Sequence, residues 1–146
     1  MQVQEVMTKD PVCCSPDTSL ETAAALMADQ NCGAIPVVDG DHQLVGIVTD
    51  RDIACRGVAK GLDPSANVRS VMSNPIVTVT PEMDLDECCG MLADNQIRRA
   101  PVVDIDGACC GMIAQADIAQ YVPESEVGEL VREVSQPSDL PSRILS

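Results

Sequence analysis

The residues with the clearest chemical potential lie in the run Gly46-Ile47-Val48-Thr49-Asp50-Arg51-Asp52, where strand character gives way to helix. A hydroxyl and unpaired backbone N–H groups at such a junction suit a phosphate oxygen. A carboxylate one turn further on can accept hydrogen bonds from both hydroxyls of a ribose, as the acidic residue of dinucleotide-binding folds does. Thr49 and Asp52 have that spacing. The same pair also describes an ordinary helix start, with Thr49 as cap and Asp52 as a first-turn carboxylate favoured by the helix dipole. Arg98 and Arg99 are the second feature: two adjacent arginines in a chain with 9 Lys and Arg against 23 Asp and Glu. A guanidinium matches a phosphate through two parallel hydrogen bonds. A pair of surface arginines tied to nearby carboxylates is the competing reading.

Other chemistries find little support. The one histidine, His42, falls in a turn over Asp39–His42 and reads as a solvated turn residue. There is no Gly-rich phosphate loop, and no nucleophile stands with a base, so catalysis is not expected. The 8 cysteines include the adjacent pairs Cys13-Cys14, Cys88-Cys89 and Cys109-Cys110 but no C-x-x-C spacing. They read as reduced, buried small hydrophobes, and neither a metal site nor a redox role is expected. The net charge of −14 argues against nucleic acid and anionic membranes as partners and reads as a solubility device. No apolar run approaches the roughly 20 residues of a membrane span. Residues Met1–Asp10 lack a basic-then-apolar leader pattern, so a cytoplasmic location is expected. With one Tyr and neither Phe nor Trp, the core must be aliphatic, methionine and cysteine.

The elements that must position these residues occur twice. Pro36-Val37-Val38-Asp39 returns as Pro101-Val102-Val103-Asp104, Leu20-Glu21 as Leu85-Asp86, Gly46-Ile47-Val48 as Gly111-Met112-Ile113, and Asp52-Ile53-Ala54 as Asp117-Ile118-Ala119, always 65 residues apart. That period exceeds the roughly 20–50 residues of solenoid repeats and indicates two copies of a small α/β unit. In the first copy, Gln4–Met7 predicts a helical turn and Val12–Ser15 a short strand. Thr18-x-x-Glu21 predicts a capping box, followed by a helix with the stripe Leu20, Ala23, Ala24, Met27. Ala34–Val38 and Gln43–Val48 predict paired strands, and a helix follows Thr49-Asp50. The second copy predicts a strand over Ile76–Thr80, the stripe Leu85, Cys88, Cys89, Leu92, strands over Ala100–Val103 and Ala108–Ile113, and a helix from Ala116 to Tyr121. Lys60–Ser65 reads as a linker and Ala66–Met72 as the counterpart of Gln4–Met7. The expected division is residues 1–62 and 63–123 for the repeats, then 124–146 for an appended amphipathic helix and tail. That helix is expected to dock on its own fold or on a sister subunit.

The order strand, helix, strand, strand, helix, with Pro-Val-Val-Asp opening the hairpin, resembles the cystathionine beta-synthase (CBS) domain, and two in tandem resemble a CBS pair or Bateman module. Val6-Met7-Thr8 and Val71-Met72-Ser73, Ser15-Pro16 and Thr80-Pro81, and Gly46 to Asp52 complete the match, which covers about residues 3–121. The resemblance implies an α/β fold of two β-α-β-β-α repeats related by a pseudo-twofold axis. It also implies a regulatory, non-catalytic role and an adenosine-containing ligand (AMP, ADP or ATP) in a cleft between the repeats. It places Val48, Thr49 and Asp52 opposite Val77, Thr78, Ile97, Arg98, Arg99 and Ala100; in one family member, basic residues at the two arginine positions contact phosphate. A second cleft would hold Val12, Cys13, Gly33, Ala34, Ala114 and Asp117. There Ala114 replaces Thr49, Asp117 keeps the ribose position, and Gly33 and Ala34 replace the arginines, so weak binding, no binding or a less charged ligand is expected. The alternatives are a sensor of S-adenosylmethionine or NADH, and a ligand-free protein-interaction module. A homodimer is expected, with Leu20–Asp29, Leu85–Asp94 and the helices after Asp52 and Asp117 near its interface, together with a regulated partner protein.

Overall fold

A computed structural model of the chain describes residues 1–74 and 77–121. The helix expected over 124–134 and the tail beyond it lie outside the described residues, as do Pro75 and Ile76. In chain order the elements are β1 (Thr8–Lys9), α1 (Leu20–Gln30), β2 (Ala34–Val38), β3 (Leu44–Thr49), α2 (Asp50–Asp52), α3 (Leu85–Asp94), β4 (Arg99–Val103), β5 (Cys109–Ala114) and α4 (Gln115–Ile118). Helix α2 runs on without a break through a wider π turn at Ile53–Gly57 and a 3-10 turn at Val58–Lys60. Further 3-10 turns lie at Val3–Glu5 and Val68–Ser70.

The duplication holds residue by residue. Ala34 pairs with Thr49 as Arg99 pairs with Ala114, and each hairpin bulges at the same place, after Val37 and after Val102. The aspartate after each Pro-Val-Val ties its own turn. Asp39 Oδ1 accepts from the N–H groups of Asp41 and Gln43, and Asp104 Oδ1 accepts from those of Asp106 and Ala108. Both turns need a positive φ at one position, met by Gly107 (85°) and by His42 (63°). Cys14 and Val79 make equivalent parallel bridges to Val37 and Val102, so the short first strands shrink to single pairings. Helix α1 begins one residue later than its sequence predicts. Ser19 is the cap and accepts from the Thr22 N–H, while Thr18 Oγ1 accepts from the Ser15 N–H and closes the turn before it. Leu20, Ala23 and Met27 are buried, and Ala24 is exposed.

Each repeat completes the other's core. Val3 is fully buried among Val79, Leu85, Leu92, Val102 and Ile113 of the second repeat. Its equivalent, Val68, is fully buried among Leu20, Ile35, Val37 and Val48 of the first. The backbone follows: Val3 N–H donates to Met83 O and Leu85 N–H to Met1 O, while Val68 N–H donates to Thr18 O and Leu20 N–H to Ala66 O. β1 joins β5 through Thr8 and Met112, and Ser73 joins β3 at Ile47 in the same way. Gly46 and Gly111 leave room for these crossing segments, since a Cβ on either would press on Met72 or Met7 and on the adjacent carbonyl.

The repeats meet about a pseudo-twofold axis between Gln43 and Ala108, which bridge each other and are themselves equivalent. Leu44 N–H donates to Gly107 O at 3.3 Å, and Cys109 N–H to His42 O at 3.2 Å. His42 is an exposed turn residue, but its Nε2 lies 2.9 Å from Cys109 O. It therefore also buttresses the neighbouring repeat, which the local sequence does not reveal.

Two outcomes follow. Val3→Ala and Val68→Ala should each cost about 2 kcal/mol, the loss of two buried methyl groups. Amide exchange should assign the first loss to β4 and β5 and the second to β2 and β3, so the opposite assignment would refute the crossed cores. The second outcome concerns alkaline pH. Burial pushes the Cys14 and Cys88 thiols from 9.0 up to about 11. An unfolded thiol loses its proton near 9 while these keep theirs, so the unfolded chain binds fewer protons and stability falls as pH rises from about 8.5 towards 11. The urea midpoint should therefore be lower at about pH 10 than at about pH 8, with a shallower decline in a Cys14→Ala, Cys88→Ala variant.

Candidate functional site

Thr49 ends β3 in extended conformation and caps α2. Its Oγ1 accepts from Asp52 N–H at 3.0 Å, and Asp52 Oδ2 accepts from Thr49 N–H at 3.0 Å. The capping role is thus fully realised. The open backbone N–H groups expected here are taken: Asp50 N–H donates to Gly33 O at 3.0 Å and Arg51 N–H to Asp50 Oδ1 at 2.8 Å. What stays available is the Thr49 hydroxyl hydrogen, as donor, and Asp52 Oδ1, which has no hydrogen-bond partner among the described residues.

The second repeat brings a cation to this junction. A Cβ on Gly33 would lie 3.2 Å from Arg99 Nη1 and 3.2 Å from Asp50 Oδ2. A guanidinium from β4 and a carboxylate from α2 therefore converge over a residue that has no side chain. Arg99 is half-buried and Arg98 exposed, and neither side chain makes a hydrogen bond or ion pair with the described residues. Asp50 is a functional candidate that sequence reasoning missed. Its position next to Thr49 was visible, but its approach to Arg99 depends on how the repeats pack.

The other site residues predicted from sequence divide into two groups. Val48 and Ala100 are fully buried in the first and second cores, and Val77 is buried in the second. Val48 also has its backbone paired with Ile35. Their side chains are committed to packing. Thr78 is exposed, and half-buried Ile97 packs against the second core.

The equivalent junction in the second repeat keeps the backbone and changes the chemistry. Ala114 N–H donates to Asp117 Oδ2 at 3.0 Å, and Gln115 N–H donates to Arg98 O at 2.8 Å. Ala114 has no hydroxyl. Gln115 replaces Asp50, and its Oε1 is buried without a hydrogen-bond partner among the described residues. Ala34 is buried and Val12 half-buried. Cys13 donates to Pro11 O and meets the Cys109 thiol, an interaction that lowers the Cys13 pKa and raises that of Cys109. Cys13 is thus engaged with β5. Among the described residues no group of three His, Cys, Asp or Glu side chains is arranged to hold a metal ion.

Known proteins share this architecture. The CBS domain profile matches residues 3–56 and 68–124. The chain is 41% identical over 117 residues to the CBS domain-containing protein YhcV of Bacillus subtilis, covering 80% of this chain and 82% of that protein. It is 31% identical over 140 residues to hypoxic response protein 1 of Mycobacterium tuberculosis, covering 95% of this chain and 97% of that one. A crystal structure of Hypoxic Response Protein I with two coordinated zinc ions superposes with a TM-score of 0.76, covering 84% of this chain and 100% of that one. CBSX2 in complex with AMP superposes at 0.73 with 25% identity, covering 82% and 93%. The CBS domain pair of MJ0100 in complex with 5-methylthioadenosine and S-adenosyl-L-methionine superposes at 0.74 with 25% identity, covering 82% and 94%. The crossed cores, the paired hairpins and these matches agree: the chain belongs to the CBS domain family, as a tandem pair.

Proposed function

We propose that this CBS pair is a cytoplasmic, non-catalytic regulatory sensor that binds a phosphorylated adenosine compound between its repeats. The observation that carries this reading is the Arg99 guanidinium, set by the second repeat beside the Thr49–Asp52 junction of the first and left without a hydrogen-bond or ion-pair partner among the described residues. The AMP complex of CBSX2 supports the same class of ligand. Asp52 Oδ1 accepts from the ribose hydroxyls, the Thr49 hydroxyl donates to phosphate, and Arg99 with Arg98 neutralises it. The backbone around Val77, Thr78, Ile97 and Ala100 borders the base. The Ala114/Asp117 cleft takes a less charged ligand or none.

A ligand held by both repeats stiffens their junction. To regulate a partner it must bind one arrangement of the repeats, or of a dimer, better than another. The proposed dimer uses the outer faces of α1 and α3 and the segments that carry Val58 and Tyr121, both exposed apolar side chains. Light scattering at tens of micromolar should give the mass of two chains, and the mass of one would refute this assembly.

S-adenosylmethionine is the second reading, favoured by the MJ0100 complex. A thermal-shift panel of AMP, ADP, ATP, NADH and S-adenosylmethionine, followed by calorimetry, separates the readings. Asp52→Ala should weaken AMP roughly 10- to 150-fold, the worth of hydrogen bonds to an ionised carboxylate. Arg99→Ala should weaken AMP far more than adenosine, and Asp117→Ala should change AMP little. Preference for S-adenosylmethionine over AMP would overturn the role given to Arg99, because the sulfonium is cationic. Silence across the panel would favour a ligand-free interaction module. Loss of AMP binding in Asp117→Ala but not in Asp52→Ala would move the site to the other cleft.

A further inference from the structure

Any anion that reaches Arg99 also meets Asp50. The two groups approach the same point over Gly33, one from each repeat, yet they form no ion pair. Asp50 Oδ1 accepts from the Arg51 N–H at 2.8 Å, which orients the carboxylate at the start of α2. Asp52 lies one turn further on with its Oδ2 held by Thr49 N–H. The local charge is therefore balanced between arginines and aspartates rather than strongly positive. A monophosphate can be met by Arg98 and Arg99 alone. Each further phosphate adds negative charge beside this carboxylate, and like charges brought together oppose binding. The second repeat shows that the frame tolerates a neutral side chain here. Gln115 occupies the equivalent position and makes the same backbone bond, Gln115 N–H to Arg98 O, that Asp50 N–H makes to Gly33 O.

We propose that Asp50 is a specificity-determining residue: its carboxylate, which approaches the same point as the Arg99 guanidinium, restricts the Thr49/Asp52 cleft to adenosine ligands bearing one phosphate. This rests on the nucleotide reading above and narrows it from three candidate ligands to AMP. Asp50→Asn is the direct test, because the amide keeps the acceptor for Arg51 N–H and removes only the charge. Asp50→Gln, copied from the second repeat, is the control for packing.

Calorimetry compares the unmodified protein, Asp50→Asn, Arg99→Ala and the double variant with AMP, ADP and ATP in the absence of divalent cations. Inorganic phosphate and tripolyphosphate are titrated in parallel. The unmodified protein should rank AMP above ADP above ATP. Asp50→Asn should tighten AMP about threefold and ATP by about tenfold or more, since the removed repulsion grows with ligand charge. Asp50→Gln should give the same order, and Arg99→Ala should abolish the gain. If the AMP-to-ATP ratio is unchanged in Asp50→Asn, the role of Asp50 is refuted while nucleotide binding itself still stands. If tripolyphosphate gains from Asp50→Asn but no adenosine compound binds, charge selection stands and the nucleotide reading falls. If neither nucleotides nor inorganic anions bind, both are overturned.

Discussion

The fold depends on the exchange of leading segments between the repeats. A repeat of about 60 residues has a marginal core on its own. Here the deficit is met reciprocally, with Val3 filling the second core and Val68 the first. The hydrogen bonds that seat these segments are matched, Val3 N–H to Met83 O at 2.9 Å and Val68 N–H to Thr18 O at 2.8 Å. A consequence is that the two hairpins cannot separate without opening both cores. The junction between the repeats is therefore built on elements whose relative placement is set by burial more than by the few bonds at the axis. That rigidity is what allows a side chain from one repeat to be aimed at the other.

Within this frame, ligand binding has to compete with local structure. At the Thr49–Asp52 junction the first-turn N–H groups are already satisfied by Gly33 O, Asp50 Oδ1 and Thr49 Oγ1. A phosphate placed there gains little from the backbone, because each new bond displaces an existing one and the net worth of an exchange is small. Affinity must come from groups that are free before binding. Among the described residues at this junction, these are Asp52 Oδ1, the Thr49 hydroxyl hydrogen and the two guanidiniums. That shifts the weight of the site from the helix terminus, where the sequence pattern put it, to the inter-repeat arginine.

The duplication, the order of elements, the helical stripes apart from the exposed Ala24 and the paired hairpins were legible in the sequence because each follows from local periodicity or from a motif seen twice. The capping of α2 was also legible, as one of two uses of Thr49 and Asp52. Three features were not. The start of α1 at Ser19 depends on Thr18 being drawn back to Ser15, a competition between two hydroxyl caps that sequence spacing does not decide. The crossed cores depend on which repeat the segments 1–9 and 66–73 cover, and an apolar Val-x-x-Val-Met pattern fits either. The approach of Arg99 to Asp50 depends on packing across the axis, and Gly33 gave no local sign of it because the absence of a side chain matters only when a neighbour fills the space.

The two junctions show how the duplicated unit separates fold from chemistry. Backbone bonds at equivalent positions are kept: Asp50 N–H to Gly33 O matches Gln115 N–H to Arg98 O, and Thr49 N–H to Asp52 Oδ2 matches Ala114 N–H to Asp117 Oδ2. The side chains that do not serve those bonds have diverged, Thr49 against Ala114, Asp50 against Gln115, Gly33 against Arg98 and Ala34 against Arg99. Changes that leave the backbone pattern intact cost the fold little, so they are free to differ between copies. They also fall in pairs across the axis: the glycine that admits Arg99 is the counterpart of Arg98, and the alanine beside it is the counterpart of Arg99 itself. Both cations thus come from one repeat and the space for one of them from the other. The asymmetry of the two junctions therefore follows from four substitution pairs around one axis, without any rearrangement of the frame that holds them.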